Sequence, residues 1–140
     1  MRANEPAGRA EIARSCGLSV QAVSNITEVL EGDGLLRVVG QKTGVRGKPA
    51  TQYSINPEGA FAVGIELRPD ALICAILNLK GECIYKERVA LTNAAPDVAV
   101  PAIENAISLA IMTSKRVREQ LLGIGIVMPE IGRASCRERV

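Results

Sequence analysis

Five residues near the start of the chain have side chains suited to contacting the edges of DNA bases. They are Ser19, Val20, Gln21, Ser24 and Asn25. Val20, Gln21, Ser24 and Asn25 are separated from their neighbours in this group by one, three or four positions, which places them on one face of a helix. Short polar and apolar groups there can form hydrogen bonds and methyl contacts in the major groove. The pattern predicts a surface that binds double-stranded DNA.

A basic segment follows this group along the chain. Every charged side chain between residues 37 and 48 is positive, namely Arg37, Lys42, Arg46 and Lys48. Such cations neutralise phosphates, and Gly47 keeps the backbone slim enough for its neighbours to enter a minor groove. We therefore predict that all five of these residues contact DNA. The alternative is a solvated basic loop without a partner.

The helix that would carry the first group belongs to the stretch RAEIARSCGLSVQAVSNI, from Arg9 to Ile26. Gly17 is suited to end a first helix, because it adopts the left-handed C-cap conformation without a Cβ clash. Leu18 is expected to fill the corner, and the serine that follows suits the N-cap of a second helix. That helix is expected to bury an apolar stripe, Val23, Ile26 and Leu30. The arrangement is typical of a helix-turn-helix, with an ordinary helical hairpin as the alternative.

Two short strands after the helix pair predict a wing. Gly32-Asp33-Gly34 ends the second helix, and Leu35 to Val39 has the composition of a strand. Tyr53 to Ile55 can return antiparallel to it, with the segment GQKTGVRGKPA, from Gly40 to Ala50, as the loop between them. Together with the helix pair, this order predicts an N-terminal winged helix-turn-helix.

From Phe61 the pattern changes to long apolar runs with a period of two. FAVGIEL (61–67), ALICAILNL (71–79) and the segment from Cys83 to Leu91 predict three strands. Tight turns at Arg68-Pro69-Asp70 and Lys80-Gly81 would join them into an antiparallel meander.

A helix and a fourth strand are expected after the meander. Pro96 and Asp97 mark the approach to the helix, and Pro101 is tolerated in a first turn. The predicted apolar stripe is Ile103, Ile107, Ala110 and Ile111. The residues expected to complement the negative end of the helix dipole are Lys115, Arg116 and Arg118. LGIGIVM, from Leu122 to Met128, predicts a strand buried on both faces. The order β-β-β-α-β gives an α/β class overall.

Composition limits the classes of partner. The 140 residues are 47% hydrophobic and carry a net charge of +2, which fits a globular protein of one to two domains. Residues 1–52 hold seven basic and five acidic side chains, whereas residues 53–129 hold seven and eight. The basic surplus therefore lies with the predicted DNA-binding part. One Phe and two Tyr are too few for the aromatic stacking that single-strand binders use.

The sequence favours neither a membrane-spanning segment nor a metal-binding site. No apolar run approaches the roughly 18 residues of a membrane span, and no signal-peptide pattern begins the chain. A cytoplasmic location is therefore expected. The cysteines, Cys16, Cys74, Cys83 and Cys136, show no CxxC spacing, and there is no histidine. A structural zinc site lacks ligands, and Cys16 and Cys74 are expected to be buried thiols.

These motifs together resemble the ROK family (repressor, open reading frame, kinase) over nearly the whole chain. RAEIARSCGLSVQAVSNI resembles its helix-turn-helix, and RGKPA resembles its glycine-rich wing. NPEGAFAVGIEL with NLKGE resembles the start of its sugar-kinase-like domain, which has a ribonuclease-H-like, actin-like ATPase fold, and GIGIVMP resembles a later strand and loop. The resemblance implies a bacterial transcription regulator, often a repressor of sugar catabolism. A sugar or sugar phosphate in the second domain would alter operator binding, and paired half-sites would imply a homo-oligomer.

The sugar kinases of the same family are the enzymatic alternative. They begin this domain with an aspartate and a glycine-rich turn for ATP phosphates, where this chain has GIELRP at residues 64–69. Glu66 takes the acidic position, but Leu67–Pro69 replace residues whose backbone N–H groups would hold phosphate. The family's catalytic aspartate would lie beyond Pro129. We expect no catalysis and no cofactor, and the other alternative is a helix pair that mediates protein association.

The predicted domains are a winged helix-turn-helix at residues 1–56 and the N-terminal part of an effector domain at residues 57–129. Residues 130–140, EIGRASCRERV, resemble a translated sequencing adapter, which predicts an artefact. MRANEPAG is too short and too rich in helix breakers to form the helix that normally precedes such a helix pair. Its loss would leave Ile12, Val23 and Ile26 partly uncovered.

Overall fold

The computed structural model describes residues 5–42 and 49–128. The chain divides into two compact units. The first unit contains the residues up to Phe61 together with the turn Asn78–Glu82, and the second contains Ala62–Leu77 and the residues from Cys83 onward. The functional boundary between residues 56 and 57 stays a prediction.

Among the described residues, the first unit contains two α-helices and three strands. In chain order they are β1 (Ala7–Gly8), α1 (Arg9–Cys16), α2 (Val20–Gly32), β2 (Leu36–Lys42) and β3 (Ala50–Ile55). The strands form a sheet in the order β1-β3-β2. The antiparallel pairing of β2 with β3 aligns Leu36 with Ile55 and Val38 with Tyr53, which confirms the predicted strand pair.

Local capping fixes the turn between α1 and α2. Gly17 has a φ of 67°, the left-handed conformation expected of a C-cap. Ser19 Oγ accepts a hydrogen bond from the Ala22 N–H at 3.1 Å and so caps α2. At the start of α1, the Glu11 carboxylate accepts a hydrogen bond from the Gly8 N–H at 2.9 Å. These bonds satisfy backbone groups that a helix end would otherwise leave unpaired.

The core of the first unit lies between the helices and the sheet. Its buried cluster contains Ala7, Ile12, Ala13 and Val23. Ile12, Val23 and Ile26 were expected to be partly uncovered, which is wrong for Ile12 and Val23 and holds for Ile26, which is 47% exposed. Strands β1 and β3 lie against α1 and cover this side of the helix pair.

Three other predictions for the helix pair are also wrong. Leu18 and Ile26 are each 47% exposed, so neither fills the corner or joins a buried stripe. Val23 of the predicted stripe is buried and Leu30 is half-buried, while Thr27 is buried in place of Ile26. Cys16 is exposed, because it ends α1 on the side away from the core. The apolar spacing predicted the helix correctly, but the observed buried face is shifted by about one residue from the predicted one.

The second unit is built around a four-stranded sheet, and α3 contacts it at β5. Its elements are β4 (Phe61–Leu67), β5 (Ala71–Asn78), β6 (Cys83–Ala90), α3 (Pro96–Met112), α4 (Lys115–Glu119) and β7 (Leu121–Val127). The described strands lie in the order β6-β5-β4-β7, and β6 pairs antiparallel with β5. The predicted order β-β-β-α-β is present, with the short helix α4 added before β7.

Helix α3 meets the sheet through small residues. Its buried side chains are Ala99, Ala106 and Ala110, whereas the isoleucines of the predicted stripe are half-buried. The Cys74 thiol of β5 donates a weak hydrogen bond to the Ala106 carbonyl at 3.8 Å, which shows how closely helix and strand approach. Burial raises the pKa of the Cys74 thiol, as expected of a buried cysteine.

Two predictions at the ends of α3 are corrected by the structure. The helix begins at Pro96, so Pro101 lies inside it rather than in its first turn. The basic residues Lys115, Arg116 and Arg118 do not end α3, because they belong to the separate helix α4.

Strand β7 is exposed rather than buried on both faces. Every residue of the strand after Leu121 is exposed, and β7 lies at the edge of the sheet beside β4. The run of apolar residues predicted a strand correctly. Burial depends on neighbouring elements, and none of those in residues 49–128 covers β7.

Candidate DNA interface

The predicted base-contacting residues lie at the start and on the exposed side of α2. Gln21 and Asn25 are exposed, Val20 is 54% exposed, and Ser24 is half-buried. Gln21 Nε2 donates a hydrogen bond to Asn25 Oδ1 at 3.1 Å, so the two amides form one unit on the helix surface. The Oγ of Ser19 is engaged by its cap bond. The structure therefore brings together a small amide-bearing surface.

The predicted phosphate contacts differ in their surroundings. Arg37 is exposed on β2, and none of the ion pairs found in residues 5–42 and 49–128 includes it. Lys42 lies at the end of the same strand, where its Nζ is 3.2 Å from Glu11 Oε1. Arg46, Gly47 and Lys48 lie outside the described residues.

The Glu11 carboxylate has two roles in the first unit. It accepts the Gly8 N–H at the start of α1 and it pairs with Lys42. These contacts, led by the hydrogen bond from Gly8, lower the pKa of Glu11. The positive charge of Lys42 is therefore partly balanced by Glu11, whereas Arg37 has no ion-pair partner among the contacts described.

Sequence reasoning missed the role of Arg9. Its guanidinium lies over the Tyr53 ring, 5.2 Å from the ring centroid, and its Nε donates to Thr27 Oγ1 at 3.1 Å. One cation therefore ties α1 to both α2 and β3. No local pattern could have revealed this contact, because the two partners are distant from Arg9 in the sequence.

Arg14 is a second residue that sequence reasoning left unassigned. It is exposed in the last turn of α1, and its Nε makes a 3.3 Å hydrogen bond to the Ala10 carbonyl of the same helix. The charge of Arg14 therefore remains on the protein surface, in the last turn of α1 before α2.

The turn between β4 and β5 offers little to a phosphate group. The Arg68 N–H donates to the Ala71 carbonyl at 2.7 Å, and Pro69 has no N–H to donate. Arg68 Nε lies 2.8 Å from Glu66 Oε1, and this hydrogen bond lowers the pKa of the Glu66 carboxyl. Glu66, which stands at the position of the acidic residue expected from the sugar kinases, is thus held in an ion pair with Arg68 of the same turn.

The described part of the chain offers neither a cluster of metal ligands nor a membrane-spanning helix. No three His, Cys, Asp or Glu side chains lie close enough together there to hold a metal ion. None of its helices combines the length and the apolar character needed to cross a membrane.

Comparison with curated proteins identifies bacterial regulators as relatives. The chain is 27% identical over 125 residues to the DNA-binding transcriptional dual regulator NagC of Escherichia coli K12, a match covering 89% of this chain and 30% of NagC. The N-acetylglucosamine repressor of Shigella flexneri matches to the same extent. The uncharacterized protein YphH of E. coli K12 is 29% identical over 83 residues, covering 56% of this chain and 21% of YphH. No protein-family model matches the chain.

A solved structure shares the fold. The crystal structure of a ROK family transcriptional regulator, a homologue of the E. coli MLC protein, aligns with a TM-score of 0.67 and 20% identity, over 91% of this chain and 32% of that one. The chain spans about 30% of the length of the curated relatives it matches. These similarities confirm the resemblance to ROK transcription regulators that the motifs predicted.

Proposed function

We propose that this chain is the DNA-binding part, with the start of the effector domain, of a sugar-responsive ROK transcription regulator that acts as a repressor. The observation that carries the proposal is the exposed amide pair of α2. It lies directly after a capped helix-helix turn, in a chain similar over 89% of its length to a DNA-binding regulator.

The first unit would then work as a winged helix-turn-helix. Helix α2 enters the major groove with Val20, Gln21 and Asn25 toward the bases, while α1 crosses the sugar-phosphate backbone. The hairpin β2-β3 is the wing, and Arg46–Lys48 between its strands reaches the minor groove or the backbone. This placement brings helix and wing to the same duplex.

The cations of the first unit are proposed to differ in how strongly they contact phosphate. Arg14 on α1 and Arg37 on β2 bind phosphate directly, because both are exposed and neither is in an ion pair described for this unit. Lys42 contributes less, because its charge is partly balanced by Glu11.

The second unit would begin the effector domain. Because two of the relatives are a transcriptional dual regulator and an N-acetylglucosamine repressor, we propose that a sugar or sugar phosphate alters operator binding. Binding to paired half-sites would need a homo-oligomer, and the location would be the cytoplasm, where bacterial DNA lies. Sugar phosphorylation is not proposed, because the turn at Arg68 and Pro69 is closed to phosphate by its own bonds.

Binding of the full-length protein to its own promoter DNA tests this proposal. Fluorescence anisotropy at several salt concentrations should show an affinity that falls steeply as salt rises. Gln21→Ala should weaken binding to the promoter more than to unrelated DNA. Arg46→Ala should weaken both and lower the salt slope by about 1.

The control is Gln120→Ala, because Gln120 is exposed in the second unit and its loss should leave both affinities unchanged. If both Gln21→Ala and Arg46→Ala bind as the wild type does, the proposed contacts are wrong. If no duplex is bound with salt-dependent affinity, the helix pair serves protein association instead.

A further inference from the structure

The amides of Gln21 and Asn25 are joined by a hydrogen bond in which Gln21 is the donor. Gln21 Nε2 donates to Asn25 Oδ1 at 3.1 Å, one helical turn away, and both side chains are exposed. This bond uses one N–H of Gln21 and the carbonyl oxygen of Asn25. Gln21 therefore keeps one N–H donor and its Oε1 acceptor for a partner, and Asn25 keeps both N–H donors and the second lone pair of Oδ1.

We infer that Gln21 reads an adenine in the major groove and that Asn25 is the positioning residue that holds its amide. The inference rests on the proposed function and adds the base that the helix recognises. The bond between the two amides supports it, because Asn25 restrains the Gln21 side chain and leaves one N–H and Oε1 of Gln21 for the base.

Only one base matches the remaining donor and acceptor of Gln21. In the major groove adenine presents an N7 acceptor beside an N6 amino donor, the arrangement that one amide group complements with two hydrogen bonds. Guanine presents two acceptors, so its O6 would face Oε1 of Gln21. Thymine lacks the donor and adds a methyl group, and cytosine lacks the acceptor.

Neighbouring side chains support a defined approach to the base. Ser19 holds the first turn of α2 through its bond to the Ala22 N–H, which fixes the helix start close to Gln21. Val20 is 54% exposed beside it and can contact a thymine methyl group next to the adenine. Both N–H donors of Asn25 remain free of this bond and can reach an acceptor on a neighbouring base or a phosphate.

The test is a binding selection on random DNA duplexes with the full-length protein. The selected site should contain an adenine whose replacement by any other base weakens binding about 5- to 150-fold. Two modified duplexes separate the two bonds without changing the protein. One carries 7-deazaadenine, which lacks N7, and the other carries purine, which lacks the N6 amino group. Each should weaken binding to the wild type.

Protein variants should then show which residue reads that position. Gln21→Ala should bind all bases at the position equally and should be insensitive to both modified bases, while keeping its salt-dependent affinity for unrelated DNA. Asn25→Leu should reduce the adenine preference. Asn25→Asp, which keeps an acceptor for Gln21, should retain the preference although its added negative charge lowers overall affinity.

The control Gln120→Ala should reproduce the wild-type profile, because this amide is exposed in the second unit. If Gln21→Ala still prefers adenine at every selected position, the inference is wrong and the proposed function stands. If the selection enriches no duplex and no salt-dependent binding is measured, the proposed function fails and this inference fails with it.

Discussion

The Nζ of Lys80 lies 2.9 Å from Oε2 of Glu5 within the first unit. The same carboxylate accepts hydrogen bonds from the Ser54 hydroxyl at 2.6 Å and the Ile55 N–H at 3.1 Å. The side chain of Glu5 is only 11% exposed, so these three donors replace most of its contact with water. The turn Asn78–Glu82 is thereby held against the end of β3.

Loss of the Lys80 cation should destabilise the first unit. In Lys80→Met the Glu5 carboxylate stays buried without its cation, and the free energy of unfolding should fall by about 1–3 kcal/mol. Urea denaturation measures this change. The control is Lys115→Met, because the pair of Lys115 with Glu119 has side chains 76% and 57% exposed and should contribute little. Equal losses in the two variants would contradict a buried anchor at Glu5.

The Glu5 carboxylate should make the free energy of unfolding depend on pH in the acidic range. Burial by itself raises the pKa of Glu5, but the hydrogen bonds from Ser54, Lys80 and Ile55 outweigh it and the pKa lies below its ordinary value. A lowered folded-state pKa gives stability above the unfolded-state value of about 4.3. That stability is lost as the pH falls from there through the folded-state pKa.

Unfolding free energies measured between neutral pH and strongly acidic pH test this dependence. Glu5→Gln should be less stable than the wild type at neutral pH and should lose less stability on acidification. Glu104→Gln, at an exposed position of α3, is the control and should follow the wild-type curve. A wild-type curve parallel to that of Glu5→Gln would show that Glu5 does not contribute to acid sensitivity.

The turn between α1 and α2 should depend on Gly17. An alanine there would meet no atom within 4 Å, but the φ of 67° is strained for a residue with a Cβ. Gly17→Ala should therefore cost about 1–2 kcal/mol in unfolding free energy. Gly32→Ala is the matched control: Gly32 ends α2, is equally free of neighbours and lacks a positive φ, so alanine should be neutral or slightly stabilising. Similar losses in both would argue against backbone strain.

The buried face of α2 can be checked by comparing two apolar residues. Val23 is 2% exposed and Ile26 is 47% exposed. Val23→Ala removes buried methyl groups and should cost about 2 kcal/mol. Ile26→Ala removes a larger side chain but should cost less, because half of it is already in water and alanine favours a helix. Thermal unfolding of this chain ranks the two, and a larger loss at Ile26 would restore the stripe predicted from spacing.

Short-range signals predicted the elements well. The ends of α1 and α2 follow from Gly17 and Ser19, because a left-handed C-cap and a side-chain N-cap involve only residues within one helical turn. The strands β4, β5 and β6 follow from apolar alternation. The exposed amides Gln21 and Asn25 could be named as candidates for the same reason, since helical spacing alone places them together.

Tertiary contacts decided which of these elements and charges are covered. Arg9 points into the first unit because Tyr53 and Thr27 lie beside it, and Lys42 is paired because the start of α1 brings Glu11 to the end of β2. The apolar strand β7 is exposed because burial is conferred by a neighbour and not by composition.

The sequence by itself therefore determined the order of the elements other than β1 and α4, the capped turn and the residues that could contact DNA. Caps and periodicity act between residues a few positions apart, so they can be identified before the chain folds. Only the tertiary structure decided the partners of Arg9, Lys42 and Glu5. Ion pairs and burial form between segments that are distant in the sequence, and their energy depends on distances and on the exclusion of water.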